Sequence, residues 1–405
     1  MQHQLPTTVR PAHVPESLVR SYPITFGGQT GKNPFTEIIP QIHEYPPVFY
    51  SMDAYLGGTP AWIVRRTSLL RSVFFDTEHY TTKDFGGFSK LIGETWSTLP
   101  VETDPPVHAL YRAFVNPIFA PRLMAALEGK IRGYARDYVE TIRAKGSCDF
   151  MADFAFEFPI KVFLELMGLP MELAPQFLEW EMQLLHSSDP AVIADGTRKT
   201  VAYLRSEIAD RKQNPRDDLI SYGVKAEIEG RKLTDDELVG FTFNLFIGGL
   251  DTVSTNMGWQ FRHLAEHADD QTTLRETPSM IPDAIEELMR AYAAVTTFRT
   301  CVKETELDGV KIMPGDKVAM ATPLVGRDPD EYDRPNEIVL DRKPRSISFG
   351  FGPHLCVGMH LARREMRIAI EEFLAGIPEF RIAPGASLAA TLGGIIQPIN
   401  LPLVW

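Results

Sequence analysis

The sequence contains Ser348-Phe349-Gly350-Phe351-Gly352-Pro353-His354-Leu355-Cys356-Val357-Gly358, a glycine-rich turn that carries one cysteine. Gly350 and Gly352 permit backbone angles that other residues avoid, so the turn can curl beneath a flat ligand. Cys356 stands where the next helix is predicted to begin, and the helix dipole and free N–H groups there lower a thiol pKa. Gly358 removes a side chain that would press on the ligand, and Phe349 can screen the sulfur from water. The turn therefore predicts a thiolate that holds the metal of a planar cofactor.

The spacing Phe-x-x-Gly-x-His-x-Cys-x-Gly, from Phe349 to Gly358, resembles the haem-ligand signature of the cytochrome P450 family. The resemblance implies haem b, iron protoporphyrin IX, as the cofactor and Cys356 as its iron ligand. A single cysteine thiolate on haem iron pushes electron density toward cleavage of the O–O bond. The alternative is a buried, inert cysteine, which is what a lone cysteine usually is. The pattern favours the thiolate, because it fixes several residue types at once.

The composition excludes several classes of protein. The chain has 405 residues, of which 44% are hydrophobic and 23% charged, as is typical of a soluble protein with a large core. The net charge of −12 argues against general nucleic-acid binding, because phosphate contacts need clustered Lys and Arg. The three cysteines are too few and too scattered for a disulfide framework. No run approaches the roughly 18 apolar residues of a membrane span, so we expect a cytoplasmic protein without a membrane anchor.

The predicted elements indicate a mainly α fold with small β-sheet regions, in one large domain with the cytochrome P450 fold. We expect residues 1–40 to form an N-terminal extended segment and residues 41–405 to form the haem-thiolate monooxygenase domain. The clearest helix begins with a capping box of Thr234 and Glu237. The expected elements are strands within residues 41–65 and 298–321, a mostly helical segment over 105–232, and helices over 234–268, 282–292 and 357–376.

The long helix contains Phe246-Ile247-Gly248-Gly249-Leu250-Asp251-Thr252. Two glycines inside a helix cost about 1 kcal/mol each relative to alanine, and close approach to a flat cofactor would offset that cost. The family resemblance implies that Thr252 hydrogen-bonds the oxygen during its reduction and that Asp251 links it to bulk protons. The alternative is a pair of glycines that allow helix packing, with a threonine that bonds back to a carbonyl one turn earlier. The thiolate turn further along the chain favours the proton relay.

Charged residues are predicted to serve the cofactor in two ways. Glu287 and Arg290 meet on one helix face, and the resemblance implies that Arg342 joins them to hold the loop below the haem. The alternative is an exposed ion pair that contributes little stability. The family pattern also assigns four residues to the haem propionates, each of which alone would be read as a surface charge or a satisfied histidine. These four are His108, Arg112, Arg299 and His354.

Within the family, the sequence most resembles the soluble bacterial camphor-hydroxylating group. Trp96 stands where that group has a tyrosine that donates to the substrate ketone, and Asn244 stands where an aliphatic residue is expected, so camphor itself is not the expected substrate. We expect a compact apolar substrate of the terpenoid or alicyclic ketone class, beneath covering helices within residues 171–215. The predicted pocket residues are Trp96, Val101, Asn244, Val295 and Ile395, although Val295 and Ile395 are equally compatible with ordinary core packing.

The motifs together predict a haem-thiolate monooxygenase that inserts one oxygen atom of O₂ into an unactivated C–H bond. No Gly-x-Gly-x-x-Gly fingerprint of a dinucleotide site occurs, so two electrons are expected from a separate iron–sulfur ferredoxin and its NAD(P)H-dependent reductase. We expect the ferredoxin to dock on the cysteine side, through Arg112, Arg363 and Arg364. The alternatives are a peroxygenase driven by hydrogen peroxide, which needs no Asp251–Thr252 relay, and a non-catalytic haem-based ligand sensor.

Overall fold

The computed structural model describes residues 9–24, 27–55 and 58–405. Its helices are α1 (Ile39–Ile42), α2 (Thr67–Phe75), α3 (Phe88–Leu91), α4 (Val107–Val115), α5 (Pro121–Ala126), α6 (Glu128–Arg143), α7 (Glu157–Met167), α8 (Ala174–Leu185), α9 (Pro190–Gln213), α10 (Leu219–Lys225), α11 (Asp235–Gly249), α12 (Asp251–Glu266), α13 (Ala268–Glu276), α14 (Ile281–Ala291), α15 (Thr322–Val325) and α16 (Met359–Gly376). The predicted mainly α fold is confirmed.

The strands are short and form small sheets. They are β1 (Gln29–Thr30), β2 (Val48–Tyr55), β3 (Thr59–Val64), β4 (Tyr80–Thr81), β5 (Ser147–Asp149), β6 (Glu227–Ile228), β7 (Arg231–Lys232), β8 (Thr296–Cys301), β9 (Thr305–Leu307), β10 (Val310–Ile312), β11 (Lys317–Ala321), β12 (Arg381–Ile382), β13 (Ala390–Thr391) and β14 (Pro402–Val404). The largest sheet has five strands in the order β2-β3-β11-β8-β4. In it β3 and β11 are parallel, with Val318 opposite Trp62, and β8 is antiparallel to β11, with Arg299 opposite Val318.

The long helix predicted over residues 234–268 is interrupted at Leu250, which separates α11 from α12. The predicted capping box at its start is present, because Thr234 Oγ1 accepts from the Glu237 N–H and Glu237 accepts from the Thr234 N–H. At the interruption the Thr252 hydroxyl donates to the Gly248 carbonyl at 3.1 Å, next to the two flexible glycines. Asp235–Glu266 is long and apolar enough to cross a membrane, but 72% of its apolar window is buried inside the protein, as in a core helix.

An aromatic cluster fixes α12 against α16. The Phe261 ring lies 4.0 Å from that of Phe150 and 4.9 Å from that of Phe373, and all three side chains are fully buried. Buried aromatic side chains of this size contribute strongly to core stability. Since α16 follows the cysteine-bearing turn directly, the cluster holds that turn at a fixed place below α11 and α12.

The N-terminal segment packs on the rest of the chain where it is described. β1 pairs with β13 near the C-terminus, with Gln29 opposite Thr391. Tyr22 and Phe35 are buried in the same core as Trp259. Residues 1–8 and 25–26 of the predicted extended segment lie outside the described residues, and the boundary at residue 41 stays a prediction.

Candidate active site

A mainly apolar cavity of about 340 Å³ lies between α11, α12 and the turn formed by residues 348–358, which we call the cysteine loop. Most of the predicted site residues face it, although they come from distant parts of the chain. Those that line it are Val101, His108, Arg112, Asn244, Gly248, Gly249, Thr252, Val295, Arg299, Phe349, Gly350, His354, Cys356 and Gly358. Trp96, Asp251, Ile395, Glu287, Arg290 and Arg342 do not line it.

The cysteine loop is shaped by its two glycines. Gly350 and Gly352 have φ of +77° and +69°, the left-handed region that side chains disfavour. A Cβ on Gly352 would also lie 3.0 Å from the Phe74 carbonyl oxygen. The Cys356 N–H donates to the Phe349 carbonyl at 2.9 Å, which closes the loop and directs the sulfur into the cavity.

The environment of the Cys356 sulfur differs from the sequence expectation. Burial raises the pKa of the Cys356 thiol, and this effect outweighs the opposing influence of the Gly358 N–H and of Arg112. The helix also begins later than predicted, at Met359. The predicted lowering influence of the backbone N–H groups is therefore present, but burial exceeds it. A metal ion bound at the sulfur would reverse the balance, because a coordinating thiol is deprotonated outright.

Positive charge and unused hydrogen-bond donors gather at one edge of the cavity. The rings of His108 and His354 lie 4.1 Å apart, and the Nε2 atom of each is buried without a hydrogen-bond partner among the described residues. Arg299 is 7% exposed and donates to the Phe298 carbonyl, but no carboxylate of the described residues lies within ion-pair distance of it. Arg112 donates to the Leu355 carbonyl at 2.7 Å and also lacks an ion-pair partner within the described chain.

The pKa shifts at this edge come from burial and from neighbouring positive charges. Burial, and after it the charges of the neighbouring arginines, lower the pKa of His108 to about 4 and that of His354 to about 2. Burial also lowers the pKa of Arg299 to about 10. A buried cation without an anion is costly, and two carboxylates would remove that cost. These residues therefore fit the two propionates of a haem whose iron meets Cys356.

The opposite wall of the cavity is formed by α11 and the start of α12. A Cβ on Gly248 would meet nothing within 4 Å, so this glycine leaves the cavity open beside the helix. The Thr252 side chain faces the same space. Asp251 points the other way and is 1% exposed: its Oδ2 lies 3.0 Å from His186 Nε2, and its Oδ1 accepts from Gln397 Nε2. The structure thus directs the side chains of the two predicted relay residues to different faces of one helix.

Sequence reasoning missed the partners of Asp251. His186 follows α8 and Gln397 lies close to the C-terminus, so no local pattern connects either residue with α12. The helix is interrupted at Leu250, and Asp251 faces these partners just after the interruption. The paired glycines in the sequence were a partial signal of this interruption.

The predicted Glu287, Arg290 and Arg342 cluster forms below the cysteine loop. Glu287 accepts from Arg290 Nε and Nη2 at 2.8 Å and from Arg342 Nε at 3.0 Å, and Glu287 and Arg290 are fully buried. Arg290 also donates to the carbonyls of Gly326 and Pro335. The alternative of an exposed ion pair is therefore wrong, because the cluster joins α14 to the chain that leads into the cysteine loop.

Two of the predicted pocket residues lie elsewhere. The Trp96 indole N–H donates to Glu94 Oε2 at 2.7 Å and its ring packs on Phe243, so this donor is already used. Ile395 forms a β-bridge with Val295 and only Val295 reaches the cavity. Sequence reasoning missed Phe85 and Thr297, which do line it.

Two of the three arginines that are predicted to dock the ferredoxin form ion pairs within the protein. Arg363 Nη2 lies 2.9 Å from Glu286 Oε2, and Arg364 pairs with Glu128. A carboxylate partner reduces the charge that either arginine presents to another protein. Of the three predicted cations, Arg112 alone keeps its charge unpaired within the described residues.

Comparisons with known proteins agree with this geometry. The cytochrome P450 family model matches residues 166–382. The chain is 37% identical to the probable cytochrome P450 127A1 of Sinorhizobium fredii, over 98% of this chain and 96% of that protein. This chain belongs to the cytochrome P450 family. It is also 35% identical to the erythromycin C-12 hydroxylase of Saccharopolyspora erythraea, over 78% of this chain and 81% of that protein. The crystal structure of cytochrome P450 CYP101C1 matches with a TM-score of 0.87 and 32% identity, over 98% of this chain and 100% of that one.

Membership of the cytochrome P450 family confirms the predicted fold, the monooxygenase class and haem b as the cofactor. When bound, haem b activates O₂ so that one oxygen atom can be inserted into a C–H bond. Among the residues that face the cavity, Cys356 would hold the iron. The propionates would meet His108, Arg112, Arg299 and His354.

Proposed function

We propose that this cytochrome P450 hydroxylates an unactivated C–H bond of a compact, mainly apolar molecule of the terpenoid or alicyclic ketone class. The cavity supports this proposal, because its volume of about 340 Å³ has to be shared between the cofactor and the substrate. Its lining beyond the cofactor edge is largely hydrocarbon, with Val101, Val295 and Phe85 among the contacts. Such a wall binds apolar molecules by excluding water and holds one carbon close to the reactive centre.

One polar group in the cavity favours a substrate that carries an oxygen atom. The Asn244 side chain lies on α11 and faces the cavity, and no hydrogen bond from the described part of the chain engages its amide. An amide can donate to a ketone or accept from an alcohol. We infer that Asn244, rather than Trp96, orients the substrate.

The positions of the reacting side chains support the roles that we propose for them. Cys356 would hold the iron, and Thr252 presents its side chain to the same cavity. Asp251 lies behind Thr252, in contact with His186, and passes protons from the interior toward the cavity side of the helix. Gly248 leaves space in the cavity beside the helix, because a Cβ there would meet no atom of the described residues within 4 Å.

The two electrons come from an iron–sulfur ferredoxin that an NAD(P)H-dependent reductase reduces in the cytoplasm. The ferredoxin docks on the cysteine side of the molecule, where Arg112 contacts the cysteine loop. Val107 and Leu110 on the same helix are 47% and 37% exposed, so the surface near Arg112 combines a cation with apolar contacts. An acidic ferredoxin would complement this charge.

The substrate class is tested by optical titration of the purified haem protein. Terpenoid ketones, matching hydrocarbons, a steroid and a macrolide are each added, and the low-spin to high-spin change is followed. We expect compact ketones to bind most tightly. A preference for the macrolide, as the name of the erythromycin hydroxylase relative would suggest, would contradict the proposed class.

The reaction type is tested by turnover with ¹⁸O₂, ferredoxin, reductase and NADH. We expect one labelled oxygen in the alcohol product. Product formed equally well from hydrogen peroxide alone would favour the peroxygenase, and ligand binding without any product would favour the sensor. Either result would contradict the proposal.

A further inference from the structure

A buried pair of ionisable side chains lies behind α12, on the side away from the cavity. It consists of Asp251 and His186, whose Oδ2 and Nε2 atoms are 3.0 Å apart and whose side chains are 1% and 5% exposed. The proposed reaction uses Asp251 to pass protons to Thr252 and leaves His186 without an assigned role. An imidazolium that contacts a proton carrier can give a proton to it. The contact therefore makes His186 the candidate source of the protons that Asp251 passes on.

A second contact fixes which oxygen of Asp251 meets His186. Asp251 Oδ1 accepts from Gln397 Nε2, and Gln397 Nε2 also donates to Thr255 Oγ1 at 3.1 Å. Oδ2 is thereby left to face His186. Gln397 and Thr255 carry no charge, so within the described residues His186 is the cationic side chain at ion-pair distance from Asp251.

The folded protein favours the charged form of His186. Burial alone would lower the pKa of His186, but the charge and the hydrogen bond of Asp251 raise it above its ordinary value. His186 also caps the C-terminal end of α8, where the helix dipole favours a cation. His186 therefore keeps its proton to a higher pH than an ordinary histidine does.

The other titratable groups on the neighbouring elements do not neutralise His186. On α8, burial and then the charge of Asp251 raise the pKa of Glu181, which favours its uncharged, protonated form. Asp189, in the turn between α8 and α9, is exposed and caps α9. On α9, Asp195 pairs with Lys199 at 2.7 Å, and both side chains are exposed. Asp251 is therefore the charged group whose field acts on His186.

The turn between α8 and α9 gives the imidazole ring a route to water. His186 stands at the start of this turn, and Ser188 and Asp189 in the turn are exposed. The second ring nitrogen of His186, Nδ1, makes no hydrogen bond within the described residues and is not fully enclosed. Asp251 thus holds the ring at one nitrogen, and the other side of the ring is partly exposed.

We propose that His186 carries protons from water to Asp251, so that it acts on the reaction only through Asp251. In this step the Nε2–H bond of the imidazolium breaks and an O–H bond forms at Asp251 Oδ2. The transfer leaves no uncompensated charge, because both members of the pair become neutral.

The cycle closes when His186 takes up a new proton. The neutral ring swings toward the exposed turn, gains a proton from water at Nε2 and returns charged, which restores the ion pair once Asp251 has passed its own proton on. No electrons are transferred. The inference rests on the proposed function of Asp251 as the group that passes protons to Thr252.

The test uses the haem-loaded enzyme and matched variants. His186→Gln keeps a hydrogen-bond donor but carries no titratable proton, and His186→Arg keeps the positive charge but does not release its proton. His79→Gln is the control, because His79 forms a similar pair with Asp76 at 2.9 Å in which both side chains are partly exposed.

The first measurement is an NMR titration of ¹³C-labelled histidine rings in the reduced carbon monoxide adduct. We expect one histidine to titrate above the ordinary pKa, and we expect its signal to be absent in His186→Gln. In Asp251→Asn the same signal should titrate at a lower pH, because the amide removes the charge that holds the proton on His186.

The second measurement is product formed per NADH consumed, and its rate, across a range of pH. In the wild type the rate should fall as pH rises through the raised pKa of His186, because the proton to be carried is then lost. His186→Gln and His186→Arg should lack this limb. His186→Gln should also lower the rate of coupled product formation about tenfold, less than the loss of a group that reacts directly.

The controls separate proton transfer from a structural role. Haem content and the substrate-induced spin change should stay unchanged in His186→Gln, and His79→Gln should match the wild type in rate and pH profile. Adding His186→Gln to Asp251→Asn should cause no further loss of rate, since His186 acts through Asp251.

Two results would overturn the inference. One is a His186→Gln enzyme with the rate and pH profile of the wild type, and the other is a wild type in which the His186 signal does not titrate above the ordinary range. If His186→Gln does not fold, His186→Arg and the wild-type titration decide the question. A wild type that binds haem but forms no product would overturn the proposed function instead, while the NMR titration still reports whether Asp251 holds a proton on His186.

Discussion

Thr252 and Asp251 are neighbours in sequence, yet their side chains point into different parts of the molecule. Thr252 faces the cavity and donates to the Gly248 carbonyl, whereas Asp251 faces a buried polar cluster. The sequence motif predicted both residues, but it did not predict that their side chains point in different directions. It depends on the turn of the backbone at Leu250, where α11 ends and α12 begins.

Replacing Thr252 by alanine should uncouple electron consumption from hydroxylation. The hydroxyl that guides protons in the cavity is lost, while the cofactor and the substrate contacts remain. We expect NADH oxidation to continue and product to be replaced largely by hydrogen peroxide, measured together in one assay. Thr242→Ala is the matched control, because Thr242 lies on α11 and donates to a carbonyl one turn earlier without reaching the cavity. Intact coupling in Thr252→Ala would exclude the relay.

Replacing Asn244 by leucine should weaken the binding of oxygen-bearing substrates. A hydrogen bond contributes about 1 kcal/mol net, so the dissociation constant of a ketone should rise roughly fivefold. The matching hydrocarbon should bind as well as before or more tightly. Spin-state titration of both ligands checks this, and an equal effect on the two would show that Asn244 does not select for oxygen.

Among secondary-structure elements, α14 supports the cysteine loop from below. The sequence predicted its Glu287–Arg290 pair from the spacing alone, and it predicted α14 itself nearly to the residue. It could not predict the carbonyl groups of Gly326 and Pro335 that complete the cluster, because backbone partners carry no sequence signal. The side-chain partners of Asp251 are distant in sequence and required the structure, as did the hydrogen bond from Trp96 to Glu94.

Removing one member of this cluster should release the haem. Glu287→Gln leaves the buried guanidinium of Arg290 without its counter-charge, and breaking such a buried pair costs about 3 to 5 kcal/mol. We expect a lower melting temperature and a low haem-to-protein ratio in the purified variant. Glu337→Gln is the control, since Glu337 and Arg334 form an i,i+3 pair whose side chains are 58% and 56% exposed. A fully loaded, stable Glu287→Gln enzyme would contradict the proposed structural role.

At the scale of the whole molecule, the main feature is the positively charged edge of the cavity. The propionates of the cofactor would balance these charges. Composition and motifs were sufficient to predict the fold class and the family, because the predicted helices and the cysteine loop indicate the same family. The balance of the thiol pKa was not predictable, because it depends on how deeply the folded chain buries Cys356.

Replacing Arg299 by leucine should have opposite effects on the haem-free and haem-bound protein. The haem-free form loses a buried cation without an ion-pair partner and should gain about 1 to 3 kcal/mol of unfolding free energy. The haem-bound form loses a propionate contact and should be less stable, so the increase in melting temperature on haem binding should shrink. Calorimetry of both forms checks the signs. A uniform loss in both would show that Arg299 is only a structural residue.

The central claim is a bond between the Cys356 sulfur and the haem iron, and the spectrum of the reduced carbon monoxide adduct tests it most directly. We predict that the wild type and Cys148→Ser absorb at the long wavelength typical of a thiolate-bound haem, and that Cys356→Ser does not. A wild-type adduct that absorbs like that of a globin, or a thiolate spectrum that survives Cys356→Ser, would contradict the account.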